Sequence, residues 1–262
     1  VAVSISSSVA QIASAFPQLF EWRAHMGIFF ILIIMVINLR GIKESGITFA
    51  IPTYFFIGMM IITIITGVIR YITGGLGVVS DPPELTILAE PQALTLFLLL
   101  KAFTSGTASV TGVEAISDGI LAFRQPRSKN ASATLVYMAL ILAFMLVGVT
   151  FLANQVQAIP SEHETLVSQI ARTIFDGRSP IYLAIIVATT VILIMGANTA
   201  FVDFPRLGAY TAKDGFLPRQ LSFQGSRLVY SRGIAALAII ASLLIVVFNA
   251  NEGKSRFVRY DP

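Results

Sequence analysis

The sequence predicts an all-α polytopic membrane protein, and three observations lead to that class. Of its 262 residues, 55% are hydrophobic and only 12% are charged, about half the charged fraction of an ordinary soluble domain. The mean hydropathy is +0.80. About 20 apolar residues are enough to cross a bilayer as a helix, and stretches without a charged residue recur at 45–69, 130–161, 179–202 and 233–251.

In chain order, the apolar segments predict about seven spans in one transmembrane domain, residues 1–251. The run MGIFFILIIMVINL is short for a span, whereas residues 93–123 form a long segment with a polar middle. The small residues of VAVSISSSVAQIASAF suit tight helix packing. Because the chain starts as if inside a helix, we expect a partial bundle. The predicted spans lie near 1–16, 26–39, 46–69, 93–123, 133–156, 180–203 and 232–250, and 252–262 form an atypical tail.

Basic residues are concentrated in every second loop. The loops near 40–43, 124–129 and 206–232 hold two, three and five of them. The alternate loops hold one, one and two, together with seven acidic residues. Cytoplasmic loops are enriched in Lys and Arg, so the first set is expected to lie inside the cell and the protein in the plasma membrane.

Several function classes are disfavoured by what the sequence lacks. It has no cysteine and only two histidines, so neither a disulfide nor a histidine metal site is expected. The patterns GxxxxGKS, GxxxxGKT, GxSxG and HExxH are absent, which argues against an enzyme, an ATP-driven pump and a bound cofactor. The net charge of +4 fits loop charges that orient a membrane protein rather than nucleic-acid binding.

The stretch SGTASVTGVEAISDG, residues 105–119, is unusually polar for a membrane span. Gly106 and Gly112 bracket its TASVT portion, and non-helical backbone survives at membrane depth only where it lines a cavity or is buried in protein. Broken helices of this kind form ion and substrate sites in many secondary transporters. The alternative is a continuous helix in which both glycines serve packing, and the pattern leaves the two interpretations open.

Glu114 lies in the middle of that segment. A charged residue at the bilayer centre costs roughly 2.5–3.5 kcal/mol or more, so Glu114 is expected to face a cavity, a partner or a proton. We interpret it as a cation ligand or a proton-coupling group, with a structural anchor as the alternative. Asp118 shares its helix face four residues on and is interpreted as a cap or an ion-pair partner of an inner arginine.

Three further polar groups carry weaker expectations. Ser4 shares a helix face with Ser7 and Ser8, and most of these hydroxyls are expected to serve packing. Asp203 is expected to pair with Arg206, three residues on. Residues 160–177 are predicted to form an outer surface helix with Ser161 as its cap, followed by Glu164 three residues later.

Two motifs resemble the amino acid–polyamine–organocation (APC) superfamily of secondary transporters. TGVEAISDGILAFRQPRSKNASATL resembles the sixth helix of that superfamily and the basic turn after it. FPRLGAYTAKDGFLPRQL resembles the loop after its eighth helix, with Lys213 in place of the usual arginine. Within the superfamily, VAVSIS and NLRGIKESG resemble the KimA-type potassium importers. The resemblance implies helices three to nine of a LeuT-like inverted-repeat bundle.

The resemblance also implies a site and a mechanism. Thr111 and Glu114 match positions that line the potassium site of the group, Ser109 lies beside them, and Ser4 matches the last serine of its third-helix pattern. Proton-coupled potassium uptake by alternating access is therefore the expected function. The alternatives are an amino-acid permease and an inert membrane remnant, and a homodimer stays open. The tail EGKSRFVRYDP departs from the superfamily, and we interpret it as the mark of a shifted reading frame.

Overall fold

The computed structural model describes the chain in segments. All regular elements in these segments are helices. They divide into two compact units, Val1–Glu84 with Leu152–Pro262, and Leu85–Phe151. The described residues are 1–41, 46–80, 95–107, 116, 120, 123–161, 163–223, 225 and 230–248.

Eight α-helices and two short 3-10 helices make up the described part of the chain. We number the α-helices in chain order: α1 Ala2–Ala15, α2 Arg23–Leu39, α3 Gly46–Ile72, α4 Leu96–Thr107, α5 Arg127–Gln155, α6 Leu166–Ile174, α7 Pro180–Lys213 and α8 Ser231–Val247. The 3-10 helices are Pro17–Trp22, between α1 and α2, and Arg219–Ser222, between α7 and α8.

Four of the described helices are long and apolar enough to cross a membrane: Pro17–Leu39, Phe49–Ile72, Arg127–Gln155 and Pro180–Lys213. Two shorter apolar helices, α1 and α8, accompany them. The prediction of an all-α polytopic membrane protein is therefore confirmed, whereas the count of seven spans and the LeuT-like arrangement stay predictions.

The core of the first unit lies where α1, α2, α7 and α8 meet. Ile5 and Val9 of α1 are fully buried there against Ala197 and Phe201 of α7. At the other end of α1, Ala15 packs with Tyr182, close to the start of α7. The two helices therefore run antiparallel. The remaining buried members of the core are Ile31, Ile34, Ile234, Ala238, Ala241 and Ile245.

The second unit holds α4 and residues 127–151 of α5. Large apolar side chains on both helices are exposed, including Phe97 and Phe103 on α4 and Tyr137 and Val147 on α5. In water such an apolar surface would favour association, whereas in a bilayer it is an ordinary lipid-facing surface.

Helix α6 corrects the prediction for residues 160–177. The helix begins one turn later than expected, and its cap is Thr165, whose side chain accepts a hydrogen bond from the Ser168 amide. Ser161 instead accepts one from the amide of His163. Ile170 and Ile174 are buried inside the first unit, so α6 packs against protein rather than lying free on a membrane surface.

A close backbone approach in this core joins α8 to α7 at Gly233. A Cβ built on Gly233 would lie 2.9 Å from the Cβ and 3.0 Å from the Cα of Pro205. Pro205 is buried within α7, and its rigid ring and backbone leave little room to yield. Glycine at position 233 is therefore needed for this crossing.

We expect Gly233→Ala to destabilise the protein by about 1–3 kcal/mol, the usual cost of overpacking a close contact. Thermal unfolding of the detergent-solubilised protein should show this as a lower midpoint. Gly58→Ala is the matched control, because its Cβ would have no atom within 4 Å. Equal midpoints for the two variants would contradict the tight α7–α8 crossing.

Candidate ion and substrate site

Helix α1 carries the first predicted site residue, Ser4, on a well-packed scaffold. Ser4 is half-buried. One turn later, Ser8 is fully buried, and its hydroxyl donates a hydrogen bond to the Ile5 carbonyl over 2.8 Å. Ser8 thus serves helix packing, as expected for most of these hydroxyls, while a role of Ser4 in ion binding stays a prediction.

Helix α7 brings a row of buried polar groups into the same unit. The hydroxyl of Thr189 donates to the carbonyls of Ile185 and Ile186. Next to it, the buried Oγ1 of Thr190 has no hydrogen-bond partner among the described residues. Such groups are rare, and they are commonly satisfied by water. Helix α7 thus carries buried polar side chains within an otherwise apolar sequence.

An asparagine pair joins α2 to α7 towards the predicted inner end of both helices. The Nδ2 of Asn38 donates to the Oδ1 of Asn198 over 2.7 Å and also to the Ile34 carbonyl. Amide pairs of this kind hold membrane helices together. Asp203 and Arg206, further along α7, are both exposed and form no ion pair. The expected pairing is wrong, since each group can be solvated on its own and exposed pairs gain little.

Gly106 lies near the end of α4, which is helical through Thr107. It is exposed, and a Cβ built on it would meet no atom within 4 Å. Close helix packing therefore gives no reason for a glycine in its described surroundings. Whether the helix breaks beyond Gly106 stays a prediction.

The other predicted site residues lie outside the described residues: Ser109, Thr111, Gly112, Glu114 and Asp118. Ser4 belongs to the first unit and Gly106 to the second. Within the described part of the chain, no group of three His, Asp or Glu side chains is placed to hold a metal ion.

A polar network at the predicted outer end of the first unit was not foreseen from the sequence. Thr165 is its centre: its amide donates to the Ser14 hydroxyl over 2.9 Å, and its hydroxyl donates to the side-chain oxygen Oε1 of Gln11 over 3.0 Å. These bonds tie the start of α6 to the end of α1. Because about 150 residues separate the partners in sequence, only the capping pattern of Thr165 and Ser168 could have pointed to this helix start.

The same network contains a mostly buried ion pair. The carboxylate of Glu164 accepts hydrogen bonds from Ser168, over 2.8 Å, and from Arg172, over 3.1 Å. The side chains of Glu164 and Arg172 are only 15% and 20% exposed. The Ser168 hydroxyl also bonds to the hydroxyl of Tyr182 on α7. A buried pair needs such additional bonds to offset the loss of hydration, and here they join α6 to α7.

A second ion pair fixes the end of α3. Arg70 donates to both carboxylate oxygens of Asp176 and to the Ile174 carbonyl over 2.6 Å. The hydrogen bond from Arg70, supported by its charge, lowers the pKa of the Asp176 carboxyl below its ordinary value. Through the Thr165 bonds to α1, the Arg70 bonds to α3 and the Ser168 bond to Tyr182, α6 joins α1, α3 and α7 at this end.

Comparison with known proteins identifies a family and a relative of this chain. The amino acid permease family model matches residues 1–258. The potassium transporter KimA of Bacillus subtilis (strain 168) is 43% identical over 249 residues, which are 95% of this chain and 40% of that protein. The chain thus spans about two fifths of the length of this relative.

Replacing Asp176 by Asn should lower the thermal unfolding midpoint slightly at pH 7, because Arg70 loses its charged partner. The pKa of Asp176 is lowered on folding, so its stabilising effect is complete above the ordinary carboxyl pKa of about 3.9. It disappears as the pH falls through the lower folded-state pKa.

The test compares the midpoints of wild type and Asp176→Asn from pH 7 down to pH 3. We expect the difference between the two midpoints to be constant above about pH 4 and to shrink below it. Glu21→Gln, which removes one charge from an exposed position, is the control. A difference that grows as the pH falls would contradict the pairing.

Proposed function

This chain belongs to the amino acid permease family, and we propose that it works as part of a proton-coupled potassium importer in the plasma membrane. Its relatedness to a protein named a potassium transporter carries the proposal. The permease family and the apolar helices make it a multi-pass membrane protein. The substrate, the coupling ion and the mechanism are the proposed parts.

The chemistry of the predicted site residues suits a monovalent cation. Glu114 supplies a negative charge, and Thr111, Ser109 and Ser4 supply neutral oxygen atoms. Oxygen ligands replace the hydration shell of potassium in other membrane proteins. In a low-dielectric site one carboxylate contributes strongly to the attraction of one cation. We therefore place the cation next to Glu114, near the middle of the membrane.

A break in the helix after Gly106 would give that cation additional ligands. An unwound segment between Gly106 and Gly112 exposes backbone carbonyls, and half-helix ends add their partial charges. The sequence supports the break, because glycines at 106 and 112 bracket the hydroxyl-rich run TASVT. The hydroxyls of Ser109 and Thr111 belong to the same segment.

Alternating access needs one part that holds still while another moves. The first unit offers a candidate for the fixed part, because α1, α2, α7 and α8 share one continuous core. Ser4 is carried by α1 and is thus held by that core.

Coupling to protons follows from the two carboxyl groups in this segment. Glu114 and Asp118 are four residues apart in sequence, the spacing of one helical turn, and neighbouring carboxylates resist simultaneous ionisation. One of them can therefore hold a proton near neutral pH. In our proposal the proton and the potassium ion are taken up from outside and released together inside.

A second candidate is transport of an amino acid, which the description of the matched family favours. There the amides of a broken helix would bind the α-carboxylate of the substrate. The acidic Glu114 among hydroxyls fits a cation better, but a permease could use the same residue for coupling.

We expect Glu114→Gln to abolish potassium-limited growth when the gene encoding this chain is expressed in a bacterium that lacks potassium uptake. The loss of the carboxylate charge should reduce uptake at least tenfold, in line with the several kcal/mol at stake for a charge in a low-dielectric site. Growth rate against external potassium is the measurement.

Glu21→Gln is the matched control, since it makes the same exchange at an exposed carboxylate outside the proposed site. It should keep most of the uptake at saturating potassium. Equal growth of wild type and the Glu114→Gln variant would count against the proposed cation site. Uptake of an amino acid with no response to potassium would favour the permease.

A further inference from the structure

We propose that the inner end of α7, the residues 214–223 that follow it and the start of α8 bind the headgroups of anionic phospholipids in the inner leaflet. The surface consists of cations and aromatic side chains of the first unit, and we call it the inner lipid surface. This inference rests on the membrane orientation of the proposed function, but not on the transported substrate. Its members are Arg206, Lys213, Arg219, Arg232, Tyr210, Phe216 and Phe223.

The four cations of the inner lipid surface are all exposed. Among the described residues, none of them forms an ion pair with a carboxylate. Two lie over aromatic rings instead: Lys213 is 5.7 Å from the ring centre of Tyr210, and Arg232 is 5.6 Å from that of Phe223. Their charges are thus held in place without being neutralised.

The aromatic side chains between these cations are exposed as well. Phe216 is 83% exposed and Phe223 is 60% exposed. Phenylalanine in water at that level of exposure is unfavourable, whereas aromatic rings at the level of the headgroups are common in membrane proteins. Exposed aromatics beside unpaired cations indicate a surface in contact with lipid rather than with water alone.

The length of α7 places these residues at the right depth. Its 34 residues extend about 51 Å at 1.5 Å per residue, while the hydrocarbon core is only about 30 Å thick. The excess length projects into the headgroup region at one or both ends. The positive loops identify the Lys213 end as the inner one.

The fold also gathers the cations from separate positions along the chain. After α7, the backbone turns at Gly215, which has a positive φ of 87°. The 3-10 helix Arg219–Ser222 then packs back onto α7 and contacts α8. Arg219 is thereby brought to the same end of the bundle as Lys213 and Arg232.

The excess of cations over carboxylates on this surface favours an anionic headgroup over a zwitterionic one. The described residues from 203 to 232 contain the four cations and only two carboxylates, Asp203 and Asp214. A zwitterionic headgroup would bring a cation of its own against this surface, whereas an anionic phosphodiester would not. Each Lys or Arg near an anionic leaflet contributes an attraction equivalent to about fivefold in affinity.

The test measures lipid binding to the purified full-length gene product by native mass spectrometry, with phosphatidylglycerol and phosphatidylcholine titrated separately. Wild type should retain phosphatidylglycerol preferentially. The triple variant Lys213→Gln, Arg219→Gln, Arg232→Gln should lose at least tenfold in affinity for it, in line with three lost attractions. The affinity for phosphatidylcholine should change little.

The matched control removes three other inner charges: Arg124→Gln, Arg127→Gln and Lys129→Gln, all exposed and in the second unit. It should keep phosphatidylglycerol affinity within about twofold of wild type, since it leaves the inner lipid surface intact. Equal losses in the two triple variants, or no lipid preference in wild type, would overturn the proposal.

Two further measurements test the lipid contact and the membrane orientation separately. A photo-crosslinking residue at Phe216 should label lipid in the membrane, and labelling of a protein segment instead would overturn the proposal. Single cysteines at Gln18 and Gln220 test the orientation, in a full-length protein from which any cysteine outside these 262 residues has been removed; the 262 residues themselves contain none. An impermeant thiol reagent should label the first from outside and spare the second, and the reverse result would refute the orientation without touching the potassium site.

Discussion

The antiparallel packing of α1 against α7 is the contact on which the rest of the first unit depends. In a bilayer, lipid tails are as apolar as the side chains, so close packing and hydrogen bonds must hold helices together. Small residues make the approach possible: Ser8 and Ala13 on α1 and Ala197 on α7 are all buried. Ile5 and Phe201 then complete a core shared with α2 and α8.

Hydrogen bonds fix this core at both ends. At one end, Asn38 and Asn198 join α2 to α7. At the other, Thr165 binds the end of α1, and Ser168 and Tyr182 connect α6 to α7. The shared core and these hydrogen bonds together hold the helices of the first unit in place.

Features of the protein that local patterns determine could be predicted from the sequence. Charge-free runs predicted the long apolar helices because span length and composition are local properties. The prediction of Ser161 as the cap of α6 was wrong, because Ser161 and Thr165 both precede a plausible helix start. Only the contacts of Thr165 with Ser14 and Gln11 distinguish them. Long-range pairs leave no periodic signal, so the outer network and the asparagine pair were not foreseen. Glu114 could be singled out by its cost in lipid, but its ligand geometry depends on neighbours that no pattern specifies.

Potassium influx into proteoliposomes is the most direct test of the central claim. The purified full-length gene product should carry potassium into vesicles at a rate that increases when an inward proton gradient is imposed, because both ions are proposed to move together. Influx equal to that of protein-free vesicles would contradict the account, as would uptake of an amino acid in the complete absence of potassium.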